Sequence, residues 1–576
     1  MGHWNPFRRN LIDTYFGKVH TLRASDALFL KTALFATVVF FLLFLIGLST
    51  KYMIATPAYG GTLSEGIVGT PRFVNPVLAV TRADKDLTTL MYDGLMRLGS
   101  DGTLVPNVAE SITVSDDGLT YNVVMKQNVT FHDGVPLTAR DIAFTIARIQ
   151  EPLLNSPLRA NFDGILVEII GEYELNVILP DAYSPFMENL TFGILPEHIW
   201  KNAGSEDFPF SQYNSEPIGS GPYAIKEITR NTSGIPEMYT LTSHETYHLG
   251  QPKIETLELR FFPTEEKLAE AFKKGVVEST VSVDTYTLPA FSLNNETHHL
   301  ERIPLPRTFA VFINQNKSPA LRDLSARKAL NISVDRSAIV ETILGGYGNV
   351  LTTPIPVGFG EHEQSSEDAE ANADTARDIL RDGGWKMNEE TNVWEKKIDD
   401  MVTPLRFSIS TMNGGDFTAT AEFLKNAWAG IGADVTVKQF EQSDFTQSVI
   451  RPRDYEALLF GIQVERSLDL YSFWHSSQRN DPGLNVALYA NITTDSILSE
   501  MRRGTAQEQQ ADAIARFTEE IQKEVPAIFL YTPELLYIFP NTVHGASWKG
   551  VGEPHERFSN IHEWYTQTES LWSLFK

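Results

Sequence analysis

The chain has 576 residues, of which 42% are hydrophobic and 21% charged, a balance typical of globular proteins and not of disordered ones. Its formal net charge is −25, and because such a surface repels phosphate backbones, the composition argues against nucleic-acid binding. The sequence contains no cysteine, which excludes disulfides, thiol nucleophiles, Cys-ligated metals and lipid anchors on cysteine.

An apolar run near the N-terminus is the first predicted element. It extends from Leu28 to Leu48 and contains one charged residue, Lys31, close to its start. About 20 helical residues span a hydrocarbon core of roughly 30 Å. Basic residues precede the run and only Lys51 closely follows it, so the positive-inside rule places the N-terminus in the cytoplasm. We predict a single-pass anchor in the cell membrane, with the C-terminal domain extracytoplasmic.

A cleavable signal peptide is the alternative interpretation of this run. The region before the apolar core is about 30 residues long, which is long for a signal peptide, and no clean A-x-A site follows the core. An uncleaved anchor is therefore favoured. The sequence then divides into a cytoplasmic segment at 1–27, the transmembrane helix at 28–50 and a linker at 51–59.

Strand and helix signals alternate in the rest of the chain. Residues 119–126 are rich in β-forming residues and follow the turn S-D-D-G. Thr138 and Asp141 form a capping-box pattern ahead of a helix with isoleucines on one face. Further helices are predicted from Asp335 to Leu344 and around the apolar stripe at 421–428. These patterns predict a mixed α/β architecture.

One motif is typical of zinc peptidases. The stretch from His244 to His248 reads H-E-x-x-H, in which two imidazoles on one helical face bind zinc and the glutamate acts as general base. Gly250 and Pro252 follow at once and argue against a helix at this point. We therefore interpret the motif as a chance match in a loop, predict no metal site, and keep a zinc peptidase only as a minor alternative.

Other catalytic patterns are also missing from the sequence. There is no G-x-x-x-x-G-K-[ST], so the chain is not expected to hydrolyse ATP itself. The segment Gly219-Ser220-Gly221 lacks the pattern of a nucleophile elbow, and the carboxylates of Asp116 and Asp117 suit a turn better than acid–base chemistry. We predict a protein that is not an enzyme and that has no cofactor.

A series of short motifs, in one order along the chain, resembles a known family. The motifs are Y-D-G-L at 92–95, V-T-F-H-D-G-V-P-L-T-A-R-D-I-A-F-T at 129–145, I-L-P-E-H-I-W at 194–200, P-I-G-S-G-P-Y at 217–223, A-R-K-A-L-N-I-S-V-D-R at 326–336 and A-R-D-I-L-R-D-G-G-W at 376–385. Together they look like the signature of family 5 extracellular solute-binding proteins, the oligopeptide, dipeptide and nickel-binding receptors of ABC importers. The resemblance covers essentially everything from Gly60 onward.

The resemblance implies a fold. It is an α/β, two-lobed periplasmic-binding-protein-like fold of type II, with an extra subdomain in lobe 1, preceded here by one transmembrane helix. The implied parts are lobe 1 at 60–304 with its subdomain at about 100–202, lobe 2 at 305–524, and a return to lobe 1 at 525–576. The chain would cross between the lobes near Ile303 to Asn314 and near Val525, which permits hinge closure over a ligand.

The resemblance also implies a function. The chain would be the substrate-binding protein of an ABC importer, a monomer that captures peptides in the interlobe cleft and delivers them to a permease with separate ATPase subunits. Strand-like pairing satisfies a peptide backbone without reading its side chains. The charged amino terminus of a peptide needs a buried carboxylate, because burying an unpaired ammonium is costly.

In peptide-binding relatives that carboxylate belongs to a G-W-x-x-D motif in the second lobe. Here Gly461 matches the glycine, Ile462 replaces the tryptophan, and Glu465 falls at the aspartate position. Asp469 is a second candidate and Asn485 a third ligand-binding candidate in the cleft. The alternative is that Glu465 and Asp469 are solvated loop acids.

Two alternatives to peptide import remain open at this point. The same fold could bind a non-peptide ligand such as a nickel chelate, a sugar or an opine. It could also serve as a membrane-anchored receptor without a transport role. Relatives are usually anchored by a lipidated cysteine or released into the periplasm, whereas a transmembrane tether would raise the effective concentration of the receptor near its permease.

Overall fold

The computed structural model describes residues 23–572 except for Ser184, Ser282, Asp284, residues 358–370, Glu465, Ser467 and residues 504–506. The chain forms two compact units. One comprises the terminal segments, up to Tyr59 and from Gln567, and the other comprises Gly60–Thr566.

The terminal unit contains a helix and a two-stranded sheet. The helix is Ala24–Tyr52, and the strand Met53–Ala58 pairs antiparallel with Gln567–Trp572. Over the residues that are described, no helix combines the length and apolar character that a membrane crossing requires. The transmembrane helix predicted at 28–50 is therefore not confirmed, and most of the predicted linker at 51–59 is strand.

The larger unit has two main parts, one with a single large hydrophobic core and one with two. We call the part whose core includes Leu257 and Tyr537 lobe 1, and the part whose cores include Ile409 and Phe529 lobe 2. Lobe 1 contains a four-stranded sheet in which only the outer pair, Thr62–Val68 with Thr256–Phe262, is parallel; the other two strands are Pro236–Ser243 and Tyr223–Arg230.

A second four-stranded sheet packs into the core of lobe 1. Its strands are all antiparallel and follow the order Ala109–Val114, Thr120–Met125, Glu174–Ile178 and Leu166–Gly171. The strand predicted at 119–126 is thus confirmed. The helix after Thr138 is also confirmed, because Asp141 Oδ2 accepts a hydrogen bond from the Thr138 backbone N–H (2.8 Å) and the helix Ala139–Gln150 buries its isoleucines.

The helices of lobe 1 are short. They are Arg82–Met91, Ala139–Gln150, Arg159–Phe162, Phe186–Asn189, Glu197–Trp200, Glu265–Lys273 and Leu288–Phe291. A small hairpin, Met96–Leu98 with Leu104–Pro106, follows the first of them.

Lobe 2 is built on an eight-stranded sheet that continues into lobe 1. Its main path is Thr280–Val281, Ala527–Pro540, Arg307–Ile313, Ala457–Gln463, Arg406–Met412 and Asp434–Phe440, and two more strands, His298–Pro304 and Gly348–Val350, also pair with Ala527–Pro540. Alternate residues of these strands enter separate cores, so that Ile528 and Leu530 face one layer of helices and Ala527 and Phe529 the other. Lobe 2 is therefore a helix–sheet–helix sandwich.

Two helices of lobe 2 lie where the sequence pattern predicts a helix. Asp335 caps Arg336–Thr342, and the stripe at 421–428 lies in Gly415–Gly430 with Ala421, Leu424 and Trp428 buried. The others are Pro319–Arg322, Leu324–Ile332, Ala373–Asp382, Gln442–Asp444, Tyr471–Trp474, Ile492–Arg503 and Gln507–Glu524, and a small sheet is formed by Lys386–Asn388, Val393–Ile398 and Met401–Pro404.

Two adjacent segments carry the chain between the lobes. The strand Ala527–Pro540 pairs with Arg307–Ile313 over its first half and with His298–Pro304 over its second half. Its residues leave the cores of lobe 2 after Tyr531 and enter those of lobe 1 from Leu535. The crossing expected near Val525 therefore lies several residues later, because one uninterrupted strand serves both lobes.

Candidate functional site

A cavity of about 480 Å³ lies between the lobes. Residues of lobe 1, residues of lobe 2 and the segment that follows the long strand Ala527–Pro540 all contribute to its lining. Its polar and charged lining residues include Lys85, Thr88, Tyr92, Asp93, Arg97, Asn107, Glu188, Gln463, Arg466, Glu553, His555 and Glu556.

The wall from lobe 1 begins where the helix Arg82–Met91 ends. The G-S-G of the P-I-G-S-G-P-Y motif packs directly on this end. A Cβ on Gly219 would lie 1.8 Å from the Met91 carbonyl oxygen, and one on Gly221 would lie 2.6 Å from that of Leu90. The Gly221 N–H donates to the Met91 carbonyl (2.9 Å), so glycine is required for the backbones to approach this closely.

Asp93, in the Y-D-G-L motif, is the residue that this packing positions. Its side chain is only 5% exposed. Its backbone N–H donates to Ser220 Oγ (3.2 Å), and its Oδ1 accepts hydrogen bonds from Tyr247 OH (3.0 Å) and Asn107 Nδ2 (3.0 Å). Its Oδ2 lies 3.3 Å from His248 Nε2. Three stretches that are distant in the chain thus meet at one carboxylate.

The charge of Asp93 follows from these contacts. Burial alone raises the pKa of this carboxyl group, but the neighbouring His248 and the hydrogen bonds from Asn107 and Tyr247 outweigh burial and lower the pKa below its usual value. Asp93 is therefore a carboxylate at neutral pH, although it is almost completely removed from water.

The H-E-x-x-H stretch forms turns and not a helix. His244 Nδ1 lies 3.2 Å from the Gly221 carbonyl oxygen and its Nε2 lies 3.1 Å from Thr246 Oγ1, while His248 is next to Asp93. In the described part of the chain, no three His, Cys, Asp or Glu side chains are arranged to hold a metal ion. The loop interpretation is confirmed, and the last two residues of the motif, Tyr247 and His248, support Asp93.

The wall from lobe 2 is dominated by Arg466. Its backbone N–H donates to Glu188 Oε2 (3.2 Å), its Nε to the Gly550 carbonyl (2.8 Å), and its Nη2 to both carboxylate oxygens of Glu556 (2.7 Å each). Glu556 also accepts from the backbone N–H of Gly552 (2.6 Å) and of Glu553 (3.0 Å). Arg466 therefore joins lobe 2 to the segment after the long strand through a charge-assisted contact.

A second ion pair lines the same cavity. Lys85 Nζ lies 2.5 Å from Glu553 Oε2, and His555 Nδ1 lies 3.3 Å from the same oxygen. Contact with His555 and Lys85 lowers the pKa of Glu553 well below its usual range, against the opposing effect of burial. The cavity thus contains both positive and negative groups and suits a ligand that is itself polar.

The residues predicted from the sequence lie elsewhere or are not described. Glu465 is outside the described residues. Asp469 Oδ2 accepts a hydrogen bond from Arg502 Nη2 (2.8 Å), and the fully buried Asn485 donates to the carbonyl groups of Trp474, His475 and Tyr489. Neither Asp469 nor Asn485 is among the lining residues of the cavity.

Sequence reasoning missed Asp93 and Arg466. The sequence did contain a signal for Asp93, since it is the one charged residue in the Y-D-G-L motif. Arg466 directly follows Glu465 in the sequence. The sequence analysis therefore identified the correct segment of the chain but not Arg466 itself.

A family model described as bacterial extracellular solute-binding proteins, family 5 Middle, matches residues 103–483. The oligopeptide-binding protein AppA of Bacillus subtilis is 25% identical over 528 residues, which cover 90% of this chain and 94% of that protein.

Solved structures give the same result. The structure of AppA from Bacillus subtilis in complex with a nonapeptide has a TM-score of 0.65 at 25% identity and covers 88% of this chain and 99% of its own. NikZ from Campylobacter jejuni, in complex with Ni(L-His), matches with the same TM-score, identity and coverage. These likenesses support the mixed α/β, two-lobed fold of periplasmic binding proteins. The chain therefore belongs to the bacterial extracellular solute-binding proteins of family 5.

Proposed function

We propose that this protein is the substrate-binding component of an ABC importer and that it captures peptides in the cavity between its lobes. The observation that carries the proposal is the cavity itself, which is lined from both lobes and bridged by Arg466. Enclosure between two lobes is the arrangement by which binding proteins trap a ligand through hinge closure. Delivery to a permease with separate ATPase subunits, and function as a monomer, are the parts of the proposal that rest on the family.

Peptides are the favoured ligand class. AppA of Bacillus subtilis binds a nonapeptide in its solved structure, and this chain covers nearly all of that protein. The cavity of about 480 Å³ falls in the range typical of small-molecule sites, which favours a short peptide over a long one. Polar groups of both signs in its lining suit the two charged ends of such a peptide.

A nickel chelate is the competing ligand, because NikZ binds Ni(L-His). The described residues do not bring three metal-ligating side chains together. A metal ion would therefore have to arrive with its own chelator. Glu465 remains part of the proposal as a ligand-binding residue, at the position where the family carries its acidic anchor, whereas Asp469 and Asn485 do not line the cavity.

Attachment to the membrane through the N-terminal helix is a further part of the proposal. Its support is the apolar run from Leu28 to Leu48 and the basic residues ahead of it. The large apolar side chains at 28–30, 34–35 and 38–44 of the helix Ala24–Tyr52 are exposed. An anchored receptor would act on the extracytoplasmic side, as expected for this family.

The proposal is tested by identifying what the protein binds. The full chain, purified in mild detergent without denaturation, is weighed by native mass spectrometry, and any bound small molecules are then released and sequenced or identified. Short peptides of varied sequence would support peptide capture. A single non-peptide species would contradict the peptide assignment and retain the binding-protein role, whereas failure to bind peptides or any permease would favour a receptor without transport.

A further inference from the structure

One arginine and two tyrosines form a contact between the lobes, which we call the aromatic clamp. Arg502 lies at the end of the helix Ile492–Arg503, which packs into a core of lobe 2. Its Cζ lies 5.0 Å from the ring centre of Tyr183, in lobe 1, and 4.2 Å from that of Tyr471, in lobe 2. A guanidinium group is attracted to an aromatic ring within about 6 Å. The contact that joins the lobes here is therefore between a cation and an aromatic ring.

The aromatic clamp belongs to the two segments that meet at the edge of the cavity. Tyr183 stands shortly before Glu188, which lines the cavity from lobe 1, and Tyr471 stands shortly after Arg466, which lines it from lobe 2. These segments touch, because the Arg466 backbone N–H donates to Glu188 Oε2 (3.2 Å). Among the described residues that line the cavity, none belongs to the clamp. The clamp therefore lies beside the ligand space and not in it.

Lobe 2 holds its part of the aromatic clamp in place. Arg502 Nη2 donates to Asp469 Oδ2 (2.8 Å), and the other oxygen of this carboxylate accepts from the Tyr471 backbone N–H (3.3 Å). Leu468, directly before Asp469, has a φ of 55°, a left-handed conformation that is uncommon for leucine. The ring of Tyr471 also stacks on that of His475, with ring centres 4.0 Å apart. The guanidinium group and the ring beside it are thus fixed within lobe 2.

Lobe 1 fixes its own part of the clamp in the same way. The Tyr183 carbonyl oxygen accepts hydrogen bonds from Tyr121 OH (3.2 Å) and from the Phe186 backbone N–H (3.0 Å). Tyr121 belongs to the strand Thr120–Met125, so Tyr183 is tied to the antiparallel sheet of lobe 1. If the lobes rotate apart, only the contact between Tyr183 and Arg502 has to break, since every other contact of the clamp named here lies within one lobe.

We propose that the aromatic clamp keeps the cleft closed, and that the contact between Tyr183 and Arg502 must break before a ligand enters or leaves. This inference rests on the proposed capture of a ligand by closure of the lobes. It makes Asp469 a positioning residue, which holds Arg502 in reach of Tyr183 and does not itself contact the ligand. Because the clamp lies outside the cavity, it sets how long a ligand stays bound without selecting its chemistry.

Dissociation kinetics test the clamp, with trialanine as the probe and the full chain in detergent. Stopped-flow tryptophan fluorescence gives the rate constants for association and dissociation. Arg502→Met keeps a long side chain without the guanidinium group, and Tyr183→Leu removes the ring from lobe 1. We expect each variant to release trialanine on the order of 3- to 30-fold faster, the range for one cation–π contact, with little change in the association rate. Tyr183→Phe keeps the ring and should retain most of the slow release.

Double variants separate the clamp from general effects on folding. If Tyr183 and Arg502 act through one contact, the protein that carries both Tyr183→Leu and Arg502→Met should release trialanine no faster than the Arg502→Met protein. Asp469→Asn should speed release several-fold in the wild-type background and not at all together with Arg502→Met. A purely structural role of Asp469 would instead lower the Tm in both backgrounds and leave the release rate unchanged.

Arg516→Met is the matched control for the loss of a guanidinium group. Arg516 lies in the helix Gln507–Glu524 of lobe 2, where it pairs with Glu500 and Asp512 of the same lobe. This variant should release trialanine at the wild-type rate. The inference is overturned if Arg502→Met also releases it at that rate, or if the substitutions at Tyr183 and Arg502 accelerate release independently of each other.

A second measurement needs no ligand. The chain contains no cysteine, so spin labels can be attached specifically at Glu168→Cys in lobe 1 and Gln447→Cys in lobe 2, both exposed positions. Pulsed electron resonance then measures the distance between the lobes, and Arg502→Met should shift the ligand-free protein toward longer distances. If the wild-type protein does not bind trialanine, peptide capture is contradicted and this distance decides on the clamp. Equal distance distributions with and without Arg502→Met would then overturn it.

Discussion

At the scale of single residues, the site depends on glycines that let two backbones touch. Gly219 has no room for a side chain, since its Cβ would lie 1.8 Å from the Met91 carbonyl oxygen. Neither Met91 nor its carbonyl can move freely, because the Gly221 N–H holds that oxygen in a hydrogen bond. The position of Asp93, two residues later, follows from this contact.

Gly219→Ala should therefore destabilise the protein by about 1–3 kcal/mol, the usual cost of forcing extra atoms into a packed interior. The matched control is Gly430→Ala, because Gly430 ends the helix Gly415–Gly430 and a Cβ there meets no atom within 4 Å. Thermal unfolding of both variants checks the prediction. A Tm for Gly219→Ala that equals the Tm of the control would show that the two backbones do not pack as described.

His132 makes the packing of the same two glycines sensitive to pH. Its Nδ1 accepts a hydrogen bond from the Gly219 N–H (3.2 Å) and its Nε2 donates to the Gly221 carbonyl (3.1 Å), an arrangement that only the neutral ring can make. Burial accordingly lowers the pKa of His132 from 6.5 to about 4. The folded protein therefore resists a proton that the unfolded chain accepts.

The contribution of His132 to the free energy of unfolding should consequently be fully present above about pH 6.5. It should decrease as the pH falls from 6.5 to 4, because only the unfolded state gains a proton at this residue in that range. His132→Gln keeps an acceptor and a donor but does not titrate, so the Tm of this variant should depend less on pH between 6.5 and 4.5. His299→Gln, at a partly exposed ring, is the control. An unchanged pH dependence in His132→Gln would contradict the assignment.

At the scale of secondary-structure elements, local sequence patterns were sufficient to predict several helices and strands. The strand Thr120–Met125, the capped helix Ala139–Gln150 and the helix Gly415–Gly430 were all predicted, because periodicity and capping depend on neighbours in the sequence. The contacts that build the lobe 1 wall of the cavity were not predicted. The hydrogen bond between Tyr247 and Asp93 joins residues 154 positions apart, and no local pattern records such a contact.

Arg466 illustrates what an element contributes to function. It lies three residues after the end of the strand Ala457–Gln463, so the strand fixes where this segment leaves lobe 2. Its guanidinium group then contacts Glu556 and the Gly550 carbonyl beyond the long strand. The contact joins the two lobes, so we expect it to stabilise a closed form relative to an open one.

Arg466→Ala should therefore shift the protein toward the open form and weaken peptide binding about tenfold, mainly through faster dissociation. The folded structure should survive, since Glu556 keeps its hydrogen bonds from Gly552 and Glu553. Arg451→Ala is the matched control, because Arg451 is exposed in the same lobe and, among the described residues, its side chain hydrogen-bonds only to Gln447 (3.4 Å). Small-angle scattering with and without trialanine measures closure, and identical behaviour of both variants would refute the role of Arg466.

At the scale of the whole molecule, two adjacent segments carry the described part of the chain between the lobes. Pro304 to Arg307 is one, and the middle of the strand Ala527–Pro540 is the other. Such a pair allows the lobes to rotate without breaking either core, because the changes in backbone angles are confined to a few residues. The binding function proposed for the larger unit does not require the terminal unit.

The role of the terminal unit can be tested by removing the helix and keeping its neighbouring strand. A chain that begins at Met53 retains the strand Met53–Ala58, which pairs with Gln567–Trp572. If the helix Ala24–Tyr52 is the membrane anchor, the full chain should stay in the membrane fraction after alkaline carbonate washing and the shortened chain should be released. Both should bind trialanine with the same affinity, since the described residues that line the cavity all lie between Pro76 and Ser559. A full chain that carbonate releases would contradict the anchor, whereas a loss of binding in the shortened chain would show that the terminal unit supports the cavity.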